Sequence, residues 1–219
     1  MMKGILRKRI FDIVLSAGGL LLSAWLWAFI IILIIIEDGF PFLIKQQRVG
    51  QNGRLFKSYK FRSMRKSTLT EEINIQARPD DPRVTRVGRF LRKTALDELP
   101  QLINILLGDM SFVGPRPLLP NEIEVYANGG TVNITDIPGY KERITMSPGL
   151  TGISQIFADR DLPRYLKFKY DIQYLQKYSI FFDIKLILLS FIITFCKSWE
   201  KRGMKIGLLK NFRIKSENL

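Results

Sequence analysis

The stretch Ala95-Leu-Asp-Glu-Leu-Pro100 sets two acids side by side, Asp97 and Glu98. Directly upstream, residues 83–93 (RVTRVGRFLRK) carry five basic side chains and no acid. A solvated helix face mixes its charges, so a cation run ending in a carboxylate pair reads as a site for something more highly charged than either. A carboxylate can act as a nucleophile or hold a hard cation. Consecutive helical residues point about 100° apart, so the two acids cannot aim at one atom from a regular helix. They can do two jobs on neighbouring groups, such as attack and metal binding. Thr94 and Asp97 have the spacing of a capping box, and Pro100 is tolerated only near a helix start. Both signals put the acids in a first turn, where free N–H groups keep a carboxylate ionised and also attract phosphate. The alternative on this pattern is that Asp97 only caps a helix.

The rest of the composition narrows the chemistry. The 219 residues include no histidine and one cysteine, Cys196. No His/Cys zinc site, intramolecular disulfide, Ser-His-Asp triad or Cys-His pair can be assembled. Lys and Arg number 34 against 20 Asp and Glu, a net charge of +14, which calls for an anionic partner. Downstream, GDMSFVGPRP (108–117) fixes Arg116 between two prolines, so its backbone is stiff. In SPGLTGISQ (147–155), Gly149, Thr151 and Gly152 permit a tight turn that could present N–H groups to an anion.

These residues need a frame. Residues 13–36 contain no charged side chain. A helix of that length at 1.5 Å per residue crosses a hydrocarbon core of about 30 Å. Basic residues flank it on both sides: Lys3, Arg7, Lys8 and Arg9 before, Lys45, Arg48 and Arg54 after. Cationic flanks prefer the cytoplasm, so a simple span forces one across, whereas a helix that enters and returns keeps both inside. Return needs a break, and Gly18-Gly19 with Ser16 or Ser23 are the available weak points. The residues leave both arrangements open. Residues 179–196 are apolar but interrupted by Asp183 and Lys185, and read as a helix in the interface or against the core. Residues 197–215, with seven basic side chains and one acid, suit an anionic leaflet.

Between these segments, 42–61 reads as a hairpin around Asn52-Gly53, 66–82 as a loop, and 83–107 as a helical run ended by Gly108. Residues 121–127 read as a short helix, 128–152 as loop, and 161–177 as a last helix. The expected class is mainly α with a small β-hairpin. A membrane anchor occupies 1–38, and a catalytic domain occupies 39–219 with a basic interfacial C-terminal segment. Phe56, Tyr59 and Phe61 among basic residues could stack bases, but the apolar anchor argues against nucleic acid as the partner.

In order along the chain, KRIFD before an apolar helix, FKSYKFRSM, the block DDPRVTRVGRFLRKTALDELPQLINILLGDMSFVGPRP and PGLTGISQ resemble the bacterial sugar transferases. These are monotopic polyprenyl-phosphate phosphoglycosyl transferases, here in the minimal form. The resemblance implies that a UDP-sugar gives its sugar 1-phosphate to polyprenyl (undecaprenyl) phosphate, yielding sugar-diphospho-polyprenol and UMP. That is the first membrane step of glycoconjugate assembly. It implies Asp97 as nucleophile through a covalent phospho-sugar, Glu98 completing the dyad, and Mg²⁺ held by Asp97 and Glu98. It further implies that Arg92, Arg116 and Arg160 face phosphates, that the anchor is re-entrant, and that the catalytic domain lies on the cytoplasmic face of the bacterial inner membrane. Family members commonly break the membrane helix at Ser-Pro, where this chain has Ser23-Ala24. Phosphoryl transfer needs charge neutralisation and alignment more than acid–base chemistry, so the lack of histidine is no obstacle.

Overall fold

The computed structural model describes residues 2–65, 81–126, 129–159 and 162–196. The loop expected at 66–82, apart from 81 and 82, and the basic segment after 196 lie outside the described residues. The chain divides into two compact units: Met1–Arg48 with Leu55–Met110, and Val49–Arg54 with Ser111–Leu219.

The first unit is organised by α1, Met2–Asp38. Its segment Leu6–Asp38 has a mean hydropathy of 2.7 and is long and apolar enough to cross a membrane. The helix runs on through Gly18, Gly19 and Ser23, the expected weak points. Ser23 Oγ donates to the Gly19 carbonyl at 2.6 Å, an adjustment within the helical ladder rather than a break in it. One face is buried: Ile30 and Ile34 pack with Phe61 and Leu91, with Trp27, Val87, Leu96 and Leu99 around them. Burying each such side chain is worth about 1.5–3 kcal/mol. The opposite face exposes Ile10, Val14, Leu21, Trp25, Phe29 and Ile36.

Strands β1 (Leu43–Val49) and β2 (Leu55–Phe61) pair as expected. Asn52 and Gly53 take positive φ values of 54° and 80° in the turn. The expected helical run 83–107 is three pieces: α2 (Arg86–Lys93), a 3₁₀ turn (Leu96–Glu98) and α3 (Gln101–Leu107). Thr94 closes α2, its hydroxyl donating back to the carbonyls of Phe90 and Leu91. It therefore does not form the capping box that its spacing with Asp97 resembled. Ala95 is left-handed, φ 56° and ψ 17°, a conformation costing a non-glycine residue about 1–2 kcal/mol. Pro100 has no N–H to continue a helix from the turn and opens α3 instead. Gly108, φ 94°, ends α3 as expected.

Helix α1 caps both neighbouring helices. Glu37 accepts from the amides of Arg86 and Val87 at 2.7 and 2.8 Å at the start of α2. Arg9 donates to the carbonyls of Ile105 and Leu106 at 2.6 and 2.7 Å at the end of α3. An anion at a helix start and a cation at a helix end satisfy orphan backbone groups and the dipole together. Buried Arg62 closes the end of α1, donating to the carbonyls of Asp38 and Gly39 at 2.8 and 2.7 Å.

In the second unit, β3 (Ser111–Val113) and β6 (Gly149–Thr151) are parallel, Ser111 opposite Gly149 and Val113 opposite Thr151. The short helix expected at 121–127 is absent; β4 (Ile123–Val125) instead pairs antiparallel with β5 (Thr131–Asn133). The strand form is chosen by a pairing partner that comes from further along the chain. The stretch expected to be loop at 128–152 thus holds β5, β6 and α4 (Tyr140–Arg143). Helices α5 (Ile153–Phe157), α6 (Arg164–Lys177) and α7 (Ile180–Cys196) follow. Helix α7 turns Leu186, Leu189 and Ile193 inward and leaves Phe181, Leu188 and Phe191 exposed. Its Asp183, fully buried, accepts from the Tyr174 hydroxyl at 2.6 Å.

Gly88 on α2 lies so close to the next segment that a Cβ there would stand 2.0 Å from the Ser63 carbonyl oxygen. Gly88→Ala is expected to lower stability by about 1–3 kcal/mol or more through backbone displacement. Gly18→Ala, where a Cβ meets nothing within 4 Å, should not. Thermal unfolding of the two variants checks this.

Candidate active site

Asp97 and Glu98 sit half-buried in the 3₁₀ turn between α2 and α3. A 3₁₀ turn spaces successive side chains by about 120°, so the two carboxylates diverge, as two separate jobs require. The cations around them come from different elements. Lys60 on β2 reaches Glu98 Oε1 at 2.7 Å, with the two side chains 17% and 13% exposed. Arg92, in the last turn of α2, donates from Nε to Ser63 Oγ at 2.9 Å. Burial pushes the Arg92 guanidinium below its ordinary pKa, while the nearby carboxylates of Asp97 and Asp81 act to keep it charged. Arg92 and Asp97, five residues apart, are thus electrostatic neighbours.

Asp81 is the third acid of this cluster. Hydrogen bonds from the Arg83 side chain and amide, at 2.6–3.1 Å, hold it. The side-chain bond from Arg83 is the main reason its pKa falls to about 2, with Arg92 contributing. Its DDPR segment was recognisable as a motif, but no role followed from the sequence. The same holds for Lys60 and Ser63 in FKSYKFRSM. Lys60 is one of several polar residues on a half-buried strand and Ser63 lies just past its end, and neither position is distinctive by itself.

Of the expected phosphate-facing arginines, Arg92 is with the dyad. Arg116 belongs to the second unit, and Arg160 lies outside the described residues. The Arg116 side chain is exposed while its backbone is braced. Gly149 N–H donates to the Pro115 carbonyl at 2.9 Å, and Gly114 N–H to the Thr151 carbonyl at 3.0 Å. A Cβ on Gly149 would fall 2.1 Å from Gly114 N, so the glycines of PGLTG serve close packing against GPRP. Arg143 of α4 donates to the Arg116 carbonyl at 2.8 Å and to Asp171 Oδ2 at 3.0 Å. Ser154 Oγ donates to the other Asp171 oxygen at 2.7 Å, and the Phe168 ring lies 4.6 Å from the guanidinium. Burial pushes the Asp171 carboxyl up, against the pull of Arg143 and Ser154. Nothing in the sequence marked Arg143 or Asp171, because their pairing spans 28 residues.

Among the described residues no three His, Cys, Asp or Glu side chains form a metal cluster. A carboxylate from this pair, together with waters and substrate phosphates, makes a fitting donor set for Mg²⁺.

Residues 3–197 match the bacterial sugar transferase family. The chain belongs to that family. It is 39% identical over 197 residues to the galactosyl transferase CpsE of Streptococcus agalactiae serotype III, covering 85% of this chain and 41% of that protein. It is 40% identical over 185 residues to the exopolysaccharide production protein PSS of Rhizobium leguminosarum bv. phaseoli, covering 82% and 90%. It is 40% identical over 190 residues to the UDP-glucose:undecaprenyl-phosphate glucose-1-phosphate transferase of Escherichia coli (strain K12), covering 84% and 39%. The chain therefore spans about two fifths of the length of two of these relatives and nine tenths of the third. The family match includes the dyad, Arg92, Arg116 and Arg160.

Removing one partner of a buried ion pair strands the other, at a cost of about 3–5 kcal/mol, whereas replacing both with apolar groups is often neutral. Arg143→Met is therefore expected to destabilise the protein by about that amount, and Arg143→Met with Asp171→Leu to recover most of it. Denaturant unfolding of the two variants measures the difference.

Proposed function

We propose that this chain transfers a sugar 1-phosphate from a UDP-sugar to a polyprenyl phosphate such as undecaprenyl phosphate, releasing UMP. The observation that carries the reading is the half-buried Asp97–Glu98 pair, with Arg92 and Lys60 brought to it from α2 and β2. Family membership and relatives named for undecaprenyl-phosphate sugar-phosphate transfer support it.

In this reading an Asp97 carboxylate oxygen attacks the phosphorus that carries the sugar. The bond from that phosphorus to the bridging oxygen breaks, and UMP leaves with the oxygen. The sugar phosphate is then esterified to Asp97. A phosphate oxygen of the lipid acceptor attacks the same phosphorus, the aspartyl–phosphorus bond breaks, and the carboxylate is regenerated. Both attacking groups are anions at neutral pH, so neither step needs a general base. Both need their repulsion from the diphosphate offset, which Arg92 does and for which the fork of a guanidinium suits phosphate. A carboxylate of the Asp97–Glu98 pair would hold Mg²⁺, which when bound would supply further charge neutralisation at the phosphates. Arg116 and Arg160 are assigned to phosphate binding on the family pattern.

A lipid acceptor requires the site to lie at a membrane surface. The exposed apolar faces of α1 and α7 support a membrane-seated molecule. Arg9 near the start of α1 and Glu37 near its end are both bonded to helices of the same unit. Were α1 to span the bilayer upright, the charged groups of that unit would be drawn to hydrocarbon depth, which is costly. We therefore assign α1, unbroken at Gly18, Gly19 and Ser23, as a monotopic anchor lying along the cytoplasmic side of the inner membrane rather than as the re-entrant helix that the resemblance implies.

Two measurements test this. Asp97→Asn should abolish UMP release from UDP-sugars with undecaprenyl phosphate and Mg²⁺, and EDTA should stop the wild type. Mass spectrometry after incubation with donor alone should find a sugar phosphate on the Asp97 peptide; activity without the adduct removes the covalent step. For topology, a Cys196→Ser, Gly4→Cys chain should resist an impermeant thiol reagent added from the periplasmic side.

A further inference from the structure

Lys60 has no role in the reaction described above, yet it makes a close contact to the dyad. Its ammonium stands 2.7 Å from Glu98 Oε1, and both side chains are largely withdrawn from water. A lysine rarely gives up its hydration for stability alone, because desolvation offsets most of the attraction in such a pair. What the pair does supply is position. Glu98 sits in a three-residue 3₁₀ turn that starts from left-handed Ala95 and has no side-chain cap. Such a short turn is a weak frame for a side chain with three rotatable bonds.

The frame for Lys60 is much firmer. Asn104 of α3 is completely buried. Its side-chain oxygen accepts from Tyr59 N–H at 3.0 Å, and its amide donates to the Lys57 carbonyl at 2.8 Å. Asn104 thus locks the residues next to Lys60 onto the helix that begins just after Glu98. The path from Glu98 through Pro100, α3, Asn104, β2 and Lys60 closes back on Glu98 as a ring of fixed contacts. Three residues past Lys60, Ser63 holds Arg92 in the same way. One strand and its exit therefore orient a group on either side of Asp97. The adjacent carboxylates also repel each other, and an ammonium within hydrogen-bonding distance of Glu98 offsets this.

We propose that Lys60 is a positioning residue for phosphoglycosyl transfer, acting through Glu98: it fixes the direction of that carboxylate beside Asp97. This rests on the reading of Asp97 and Glu98 as the catalytic pair.

The test uses the full chain in detergent or nanodiscs, with UMP release measured for wild type, Lys60→Met, Lys60→Arg, Glu98→Gln and the Lys60→Met, Glu98→Gln double variant. Lys60→Met should lower kcat by about 10- to 100-fold, the usual effect of losing a group that orients a catalytic one. The KM for the UDP-sugar should move by no more than about threefold, because the lost interaction matters only in the transition state. Lys60→Arg should recover most of the rate, and the double variant should be no slower than Glu98→Gln. A wild-type kcat in Lys60→Met overturns the proposal. So does a KM rise at unchanged kcat, which would make Lys60 a donor-binding group. Lys60→Arg as slow as Lys60→Met, with an equal fall in unfolding midpoint, reduces Lys60 to packing and also overturns it. If the wild type releases no UMP from any UDP-sugar, the underlying reading fails and takes this one with it. An active wild type with an unimpaired Lys60→Met defeats the role of Lys60 alone.

Discussion

The first unit depends on the break between α2 and α3. Without it, Asp97 and Glu98 would lie on a continuous helix with their backbone amides and carbonyls already used. Left-handed Ala95 and the 3₁₀ turn after it expose a short segment of chain between two helix ends. A strained turn of this kind persists only if its surroundings hold it. Here they do so by electrostatics at a distance from the turn. Glu37 caps the far end of α2 and Arg9 the far end of α3, both from α1. The long apolar helix is thus the rail on which the two helices around the dyad are set. Leu91, Leu96 and Leu99 pack on its Ile30 and Ile34, so apolar burial and the two ionic caps hold the same arrangement.

Around the turn, opposite charges alternate at short range. Asp81 is held by Arg83, Arg92 lies near Asp97, and Glu98 is held by Lys60. Among the described residues each of these carboxylates has a cation beside it, although the chain as a whole carries a net charge of +14. A diphosphate ligand would add negative charge to such a balanced group, which a divalent cation would offset. The guanidiniums are held by hydrogen bonds to Ser63 and Asp81 rather than left to find a phosphate by side-chain motion. Preorganisation of this kind lowers the cost of assembling a charged transition state.

The second unit holds its family motif by different means. The GPRP loop contains prolines that cannot donate, so its carbonyls are braced from outside, by Gly149 N–H and by the buried Arg143 guanidinium. Arg143 is neutralised by Asp171, itself bonded by Ser154. A charged network kept so far from water serves uniqueness of backbone position more than stability. The β4–β5 hairpin adds a further anchor: Glu124 accepts from the Arg164 amide at 2.7 Å at the start of α6, and Glu122 pairs with the Arg164 side chain.

Residues with a local cause for their conformation were legible from the sequence alone. Asn52-Gly53 turns because few other residues tolerate its φ angles, Gly108 stops α3 for the same reason, and the apolar run of α1 is helical because of its length and composition. The family was legible too, in the motifs that run from KRIFD to PGLTGISQ, and the match over residues 3–197 bears it out. The tertiary structure decided what depends on partners distant in sequence. It split 83–107 at Ala95, made 123–125 a strand because 131–133 lies beside it, and made Thr94 an end of α2 rather than the cap of the dyad turn. It also brought Lys60 to Glu98 across 38 residues and Arg143 to Asp171 across 28. Periodicity and turn chemistry report energies within a few residues, whereas an ion pair or a strand partner is chosen by the packing of the whole unit, which no local pattern encodes.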